Sequence, residues 1–132
     1  MADDLLQVEL VSADSRVWSG EASFVLARTT DGELGVLPHH APLLSVLVES
    51  VVLIRGDGGD AQVAAVDGGF ISVANNRVSI LAEHAELSED IDAGQARQDL
   101  ESSQGGSDED DEDAARRVRW AEARIAATER SG

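Results

Sequence analysis

The sequence predicts a mainly β protein: an N-terminal β-sandwich of about ten short strands over residues 1–87, then a small α-helical hairpin over residues 88–132. Three observations predict it. Apolar and polar residues alternate in short runs from Leu5 to Leu87, the period-two signature of half-buried strands. Turn signals rich in Gly, Asn and Asp separate those runs about every eight to twelve residues, the spacing of sandwiches and barrels. After residue 87 the pattern changes to a helix-start signal, an acidic block and an arginine-bearing stretch with helical period.

Leu6, Val8 and Leu10 share one face of a first strand over residues 5–11, and Ser12-Ala13-Asp14-Ser15 reads as a turn. Arg16-Val17-Trp18 starts a second strand that stops at Ser19-Gly20. A third, over 21–28, sets Ala22, Phe24 and Leu26 against Ser23, Val25 and Ala27. Thr30-Asp31-Gly32 turns into a short strand from Leu34 to Leu37. A nearly continuous apolar run, Leu43 to Val48, breaks at Glu49-Ser50, and Val51 to Ile54 follows. Gly56-Asp57-Gly58-Gly59-Asp60 is a hairpin turn back into Ala61 to Val66. Asp67-Gly68-Gly69 predicts another turn, then Phe70 to Val73, a turn at Asn75-Asn76, and the strands Val78 to Leu81 and Ala85 to Leu87.

A first helix is expected over about residues 92–103. Asp92 is its N-cap with Gln95 three residues on, and Ile91 and Ala96 fit a hydrophobic staple. Gly94 in its first turn costs up to ~1 kcal/mol relative to Ala. Residues 104–113 form an acidic linker, read as solvated chain. A second helix over about 114–130 carries Ala114, Val118, Ala121 and Ile125 as a narrow apolar stripe. Arg116, Arg117, Arg119, Arg124 and Arg130 cover much of its remaining surface, half of the 10 basic residues in the chain.

Composition bounds the function. The formal net charge is −16, which opposes phosphate backbones and anionic lipid, so no nucleic acid and no direct membrane insertion are expected. Aromatic residues make up 3%, so Val, Leu, Ile and Ala must fill the core. No apolar run reaches the ~18–20 residues of a membrane span. Without cysteine there is neither a disulfide framework nor a thiolate metal site.

The stretch from Gly32 to Leu44 holds both prolines, Pro38 and Pro42, and two of the three histidines. Each proline removes a donor and pushes its preceding residue out of the α region, so a fixed loop follows Leu37. A loop so constrained presents a surface. His39 and His40 raise a metal reading with Glu33 or His84 as third ligand, but adjacent side chains on extended backbone point to opposite sides. No metal is expected. Gly68-Gly69 lacks the Lys-Ser/Thr and the helix of a phosphate loop. No serine sits in a Gly-x-Ser-x-Gly elbow and there is no Cys or Tyr, so covalent catalysis has no candidate. The residues read as a binding protein, not an enzyme.

Gly32-Glu33-Leu34-Gly35-Val36-Leu37-Pro38 through His40-Ala41-Pro42-Leu43 resembles the loop motif of the ε subunits of F-type ATP synthases. Val66-Asp67-Gly68-Gly69-Phe70-Ile71-Ser72-Val73, followed by Val78-Ser79-Ile80-Leu81, resembles their second motif. The resemblance covers residues 5–92 and continues in outline to the end. The short hairpin and absent cysteine are similar to actinobacterial members. The resemblance implies a non-catalytic rotor subunit of the central stalk in proton-driven ATP synthesis, held peripherally at the cytoplasmic face of the bacterial cell membrane. It implies that Glu33, Leu34, Gly35, Val36, Leu37, Pro38, His40 and Pro42 face the γ subunit and the c-ring. It also implies that Arg116, Arg117, Arg119 and Arg124 reach the catalytic α and β subunits when the last helix extends to inhibit ATP hydrolysis. The family's ATP motif, Ile/Leu-Asp-x-x-Arg-Ala, falls on Ile91 and Asp92, with Gln95 in place of the arginine. No cofactor is expected. The alternative from another class is a stand-alone β-sandwich binding module with a disordered acidic tail. A metal-dependent enzyme of cupin type would need ligands that the chain does not offer.

Overall fold

A computed structural model describes residues 5–104 and 112–131. The start at Met1 to Asp4 and most of the expected acidic linker, 105–111, lie outside the described residues. The strands are β1 (Leu6–Val11), β2 (Arg16–Ala22), β3 (Phe24–Thr29), β4 (Gly32–Val36), β5 (Leu43–Arg55), β6 (Ala61–Ala74), β7 (Arg77–Leu81) and β8 (Ala85–Leu87). A 3₁₀ turn, Ser88–Asp90, leads to α1 (Ala93–Gln104) and α2 (Glu112–Ser131).

Eight strands stand where about ten were expected, because two pairs of expected strands fuse. β5 runs through Glu49-Ser50 and β6 runs through Gly68-Gly69, and the two pair antiparallel from Leu43↔Val73 to Arg55↔Ala61. The ribbon bends where Gly68 and Gly69 take φ of 111° and 102°, a region open to glycine. At the bend the alternation reverses. Ala64 and Val66 face the core before it, and Ile71 and Val73 after it. Opposite them, Leu47 faces the core on one side of the bend, and Val52 and Ile54 on the other. The two halves of one ribbon thus serve two layers. β8 pairs with residues 64–66 of β6 and β7 with residues 70–74, while β1 joins β7 in parallel. Between the layers, Leu6, Leu10, Val25, Val36, Ile54, Ile71 and Ile80 are fully buried. At about 25 cal/mol per Å² such aliphatic burial supplies the main stabilising term.

The helix start is local chemistry. The Gln95 amide donates to Asp92 Oδ1 at 3.0 Å, the N-cap bond. Gln95 does not reach back to close a capping box: its Nε2 donates to Asp99 Oδ1 at 2.9 Å. Ile91 and Ala96 are both buried. α2 lies across the outer face of the first half of the ribbon, where Trp120, Ala123 and Ala127 pack on Val51, Leu53, Val63 and Ala65 beside Ile91. That row differs from the expected stripe. Ala121 is buried toward α1, with Asp99 and Ser102 beside it, so the helix uses two contact lines instead of one. Alanines on both lines let it approach closely.

Candidate functional site

β4 and the loop after it distribute the predicted interface residues over three environments. Val36 is fully buried and Leu34 packs against the core, so both serve the core; strand alternation turns them inward. Gly35 is exposed, and a Cβ there would stand 3.2 Å from the Phe24 ring. Glu33 is exposed at the other end of β4, opposite Arg28, in a groove it shares with Glu49, Arg119 and Arg130. It therefore faces α2 and not the loop.

Leu37, Pro38, His40 and Pro42 remain together at one end of the sandwich. Leu37 and Pro42 are exposed, and Pro38 and His40 half-buried. The His40 amide donates to the Leu37 carbonyl at 3.1 Å, closing a tight turn. His40 Nδ1 lies 2.7 Å from the Ala41 carbonyl, which requires the proton on Nδ1. His39 is left-handed, with φ 69°. Among the described residues no three His, Cys, Asp or Glu groups converge as a metal site would need.

Sequence reasoning named Leu37 but missed the other large apolar side chains that the described residues expose. Leu44 is 73% and Phe70 51% exposed, and Val46 and Leu81 are also exposed. Val46, Phe70 and Leu81 are register partners across β5, β6 and β7, so they form one row on the outer face. This is the half of the ribbon that α2 does not cover. The available signal was Phe70, one of two phenylalanines, on the opposite alternation from Ile71 and Val73.

The hairpin engages two of the four predicted arginines. Arg119 Nε meets Glu49 Oε1 at 2.6 Å. Arg124 Nη1 meets Asp99 Oδ2 at 3.0 Å, and its Nε lies 2.8 Å from Glu86 Oε1. The Nε–H is not aimed at an acceptor, so the Glu86 contact is coulombic attraction and not a formed hydrogen bond. Arg116 and Arg117 stay exposed, on a cleft of about 310 Å³ beside His84 and Trp120. The ATP-motif positions are committed to the fold: Ile91 packs under α2 and Asp92 caps α1.

Asp67 anchors the segment before β8. Its Oδ1 accepts from the His84 amide at 2.9 Å and its Oδ2 lies 2.7 Å from His84 Nδ1. The Asp67 hydrogen bond, opposed by desolvation, raises the His84 pKa above 6.5, and the charges of Asp67, Glu83 and Asp14 add to it. A raised pKa means that the pair's stabilisation is complete below the unfolded value and is lost as pH rises through the folded one. Asp67→Asn is expected to lower the His84 pKa in an NMR titration of the ring; an unchanged value contradicts this origin.

Fold and surface together define an assembly subunit: a sandwich with a docked hairpin, an exposed apolar row and a fixed end loop. Residues 5–88 match the family described as "ATP synthase, Delta/Epsilon chain, beta-sandwich domain", and the chain belongs to that family. It is 55% identical over 103 residues to an ATP synthase epsilon chain of Streptomyces avermitilis, covering 78% of this chain and 83% of the relative. It is 46% identical over 123 residues to one from Mycolicibacterium vanbaalenii, covering 92% and 93%. The fold is similar to a chain in the Euglena gracilis mitochondrial ATP synthase (OSCP/F1/c-ring), with a TM-score of 0.72, 25% identity, and coverage of 96% of this chain and 78% of that one. It also resembles a chain in the Tetrahymena thermophila central stalk and c-ring, with a TM-score of 0.65, 19% identity and coverage of 93% and 96%, a likeness of fold alone. The chain is thus an epsilon-type subunit of an ATP synthase, and not itself a catalyst. No described helix is long and apolar enough to cross a membrane.

Proposed function

We propose that the outer face of β5, β6 and β7 seats the chain on the γ subunit and that the 37–42 loop meets the c-ring. The rotor then stands at the cytoplasmic face of the bacterial membrane. The observation that carries this reading is the row of Val46, Phe70 and Leu81, exposed and aligned across three strands. An apolar row of this kind on a protein of net charge −16 marks a protein partner. The functional division falls at Leu87: residues 1–87 bind the rotor, and 88–132 form a regulatory hairpin.

α2 sits in the compact pose here, with Arg119 and Arg124 paired inside the chain. Release would free them, with Arg116 and Arg117, for acidic surfaces of the catalytic α and β subunits, where arginine pairs strongly with carboxylates. The helix then brakes ATP hydrolysis. The reading includes no bound nucleotide.

The test is co-purification from gently solubilised membranes with the chain tagged. The wild type is expected to bring γ, the catalytic heads and the c-ring. Phe70→Asp, on a solvent-facing position, is expected to keep the fold and lower recovery by at least about tenfold, the scale of a lost aromatic anchor. Undiminished recovery would reject this face. Recovery of the wild-type chain alone would favour the stand-alone module.

A further inference from the structure

We propose that Asn76 is a positioning residue for the 37–42 loop: its side chain fixes the shape in which that loop meets the rotor. The inference rests on the orientation given above for the loop. It starts from a mismatch between residue and turn. Asn75 and Asn76 join β6 to β7 with φ of 53° and 61°. Two consecutive left-handed residues make a type I′ hairpin turn, whose second position glycine fills best. Asparagine is accepted there, but it suits the backbone less well.

What the side chain does accounts for its presence. Asn76 Oδ1 accepts the backbone amide of His39 at 2.6 Å, and the Asn76 carbonyl accepts the Gln7 amide at 2.7 Å. One residue therefore joins the β6–β7 turn, the start of β1 and a loop 37 positions earlier in the chain. His39 itself is left-handed at φ 69°, a conformation unfavourable for a non-glycine residue without outside support. The Asn76 bond supplies such support. With His39 held, the His40 amide can reach the Leu37 carbonyl, and the closed turn leaves Leu37 and Pro42 exposed. Pro38 and Pro42 narrow the loop's choices, and Asn76 selects among them.

The discriminating variant is Asn76→Gly, which suits the turn and deletes the clamp. Amide exchange in the full-length chain, read by NMR, is expected to accelerate about tenfold at His39, the effect of one lost hydrogen bond. The His40 amide, which bonds Leu37 and not Asn76, is expected to accelerate too, while the thermal midpoint does not fall. Asn76→Asp keeps the acceptor and is expected to restore both amides. If His40 exchange is unchanged in Asn76→Gly, Asn76 merely caps one amide and the proposal is overturned. In the whole complex, retention of the c-ring by the tagged chain is expected to drop several-fold in Asn76→Gly and in Leu37→Asp. Loss with Leu37→Asp but not Asn76→Gly overturns the positioning role alone. No loss with Leu37→Asp means that the loop does not meet the rotor, and the orientation and the positioning role fall together.

Discussion

Gly69→Ala is expected to cost about 3–5 kcal/mol, enough to leave much of the population unfolded. A Cβ at this position would overlap the Leu81 carbonyl oxygen and approach Ala82 Cα to 2.9 Å. The strand cannot back away. Phe70, the next residue, pairs with Leu81, and the ladder continues to Ala74↔Arg77. Relief would break the β6–β7 ladder, which carries Ile71, Val73, Val78 and Ile80 of the core. The φ of 102° adds the cost of a left-handed alanine. Gly68→Ala is the control. Its φ is 111°, but the nearest atom to an added Cβ is the Leu47 carbonyl oxygen at 3.5 Å, an ordinary contact. Only backbone strain remains there, about 1–2 kcal/mol. Urea unfolding of the two variants separates contact from strain, and equal losses would contradict the close approach at Gly69.

The same glycines show where the sequence stopped being legible. Asp67-Gly68-Gly69 has the composition of a turn and was expected to be one. A bend inside a paired strand needs the same positive φ, and only the partner strand decides between the two. Glu49-Ser50 misled in the same way. Its polar break in an apolar run is the point where β5 crosses from one layer to the other, and Glu49 faces α2 to meet Arg119. A local signal fared better: the Asp92 cap depends on a neighbour within one turn. α2 was legible as a helix but not in its orientation. Its buried residues are mostly alanine, which carries little signal, and the sheet-facing row is completed by Trp120. At the candidate site, the prolines and glycines of residues 32–42 announced a constrained loop. Alternation sets Phe70 against Ile71 and Val73 without choosing the core face, and periodicity does not say whether an outward face is bare or covered. One half of the ribbon's outer face lies under α2 and the other half is open.

Arg124→Ala is expected to release the hairpin from the sandwich while leaving the strands intact. The guanidinium is 12% exposed and ties three elements together: Asp99 of α1, Glu86 of β8 and, 5.9 Å below it, the Trp120 ring of α2. Removing one partner of a fully buried pair costs about 3–5 kcal/mol. Glu86 and Asp99 keep 32% and 47% of their exposure, so water takes over part of their solvation, and about 1–3 kcal/mol is expected here. That suffices because α2 brings Trp120 and two small residues, Ala123 and Ala127, to the apolar cluster beneath it. Hydrogen exchange of α2 should rise with that of β1 and β7 unchanged; simultaneous loss of protection in all of them would mean that the hairpin and sandwich open as one unit. Hydrolysis then separates docking from braking. Glu86→Ala removes a docking carboxylate and keeps all four arginines, so it is expected to favour the extended helix and lower ATP hydrolysis by the complex. Arg116→Ala with Arg117→Ala removes cations that stand outside the Arg119 and Arg124 ion pairs found among the described residues, so it is expected to leave the hairpin docked and raise hydrolysis. Opposite signs follow only if the residues that hold the helix down differ from those that act once it is up. A shift in the same direction for both variants would reject the brake.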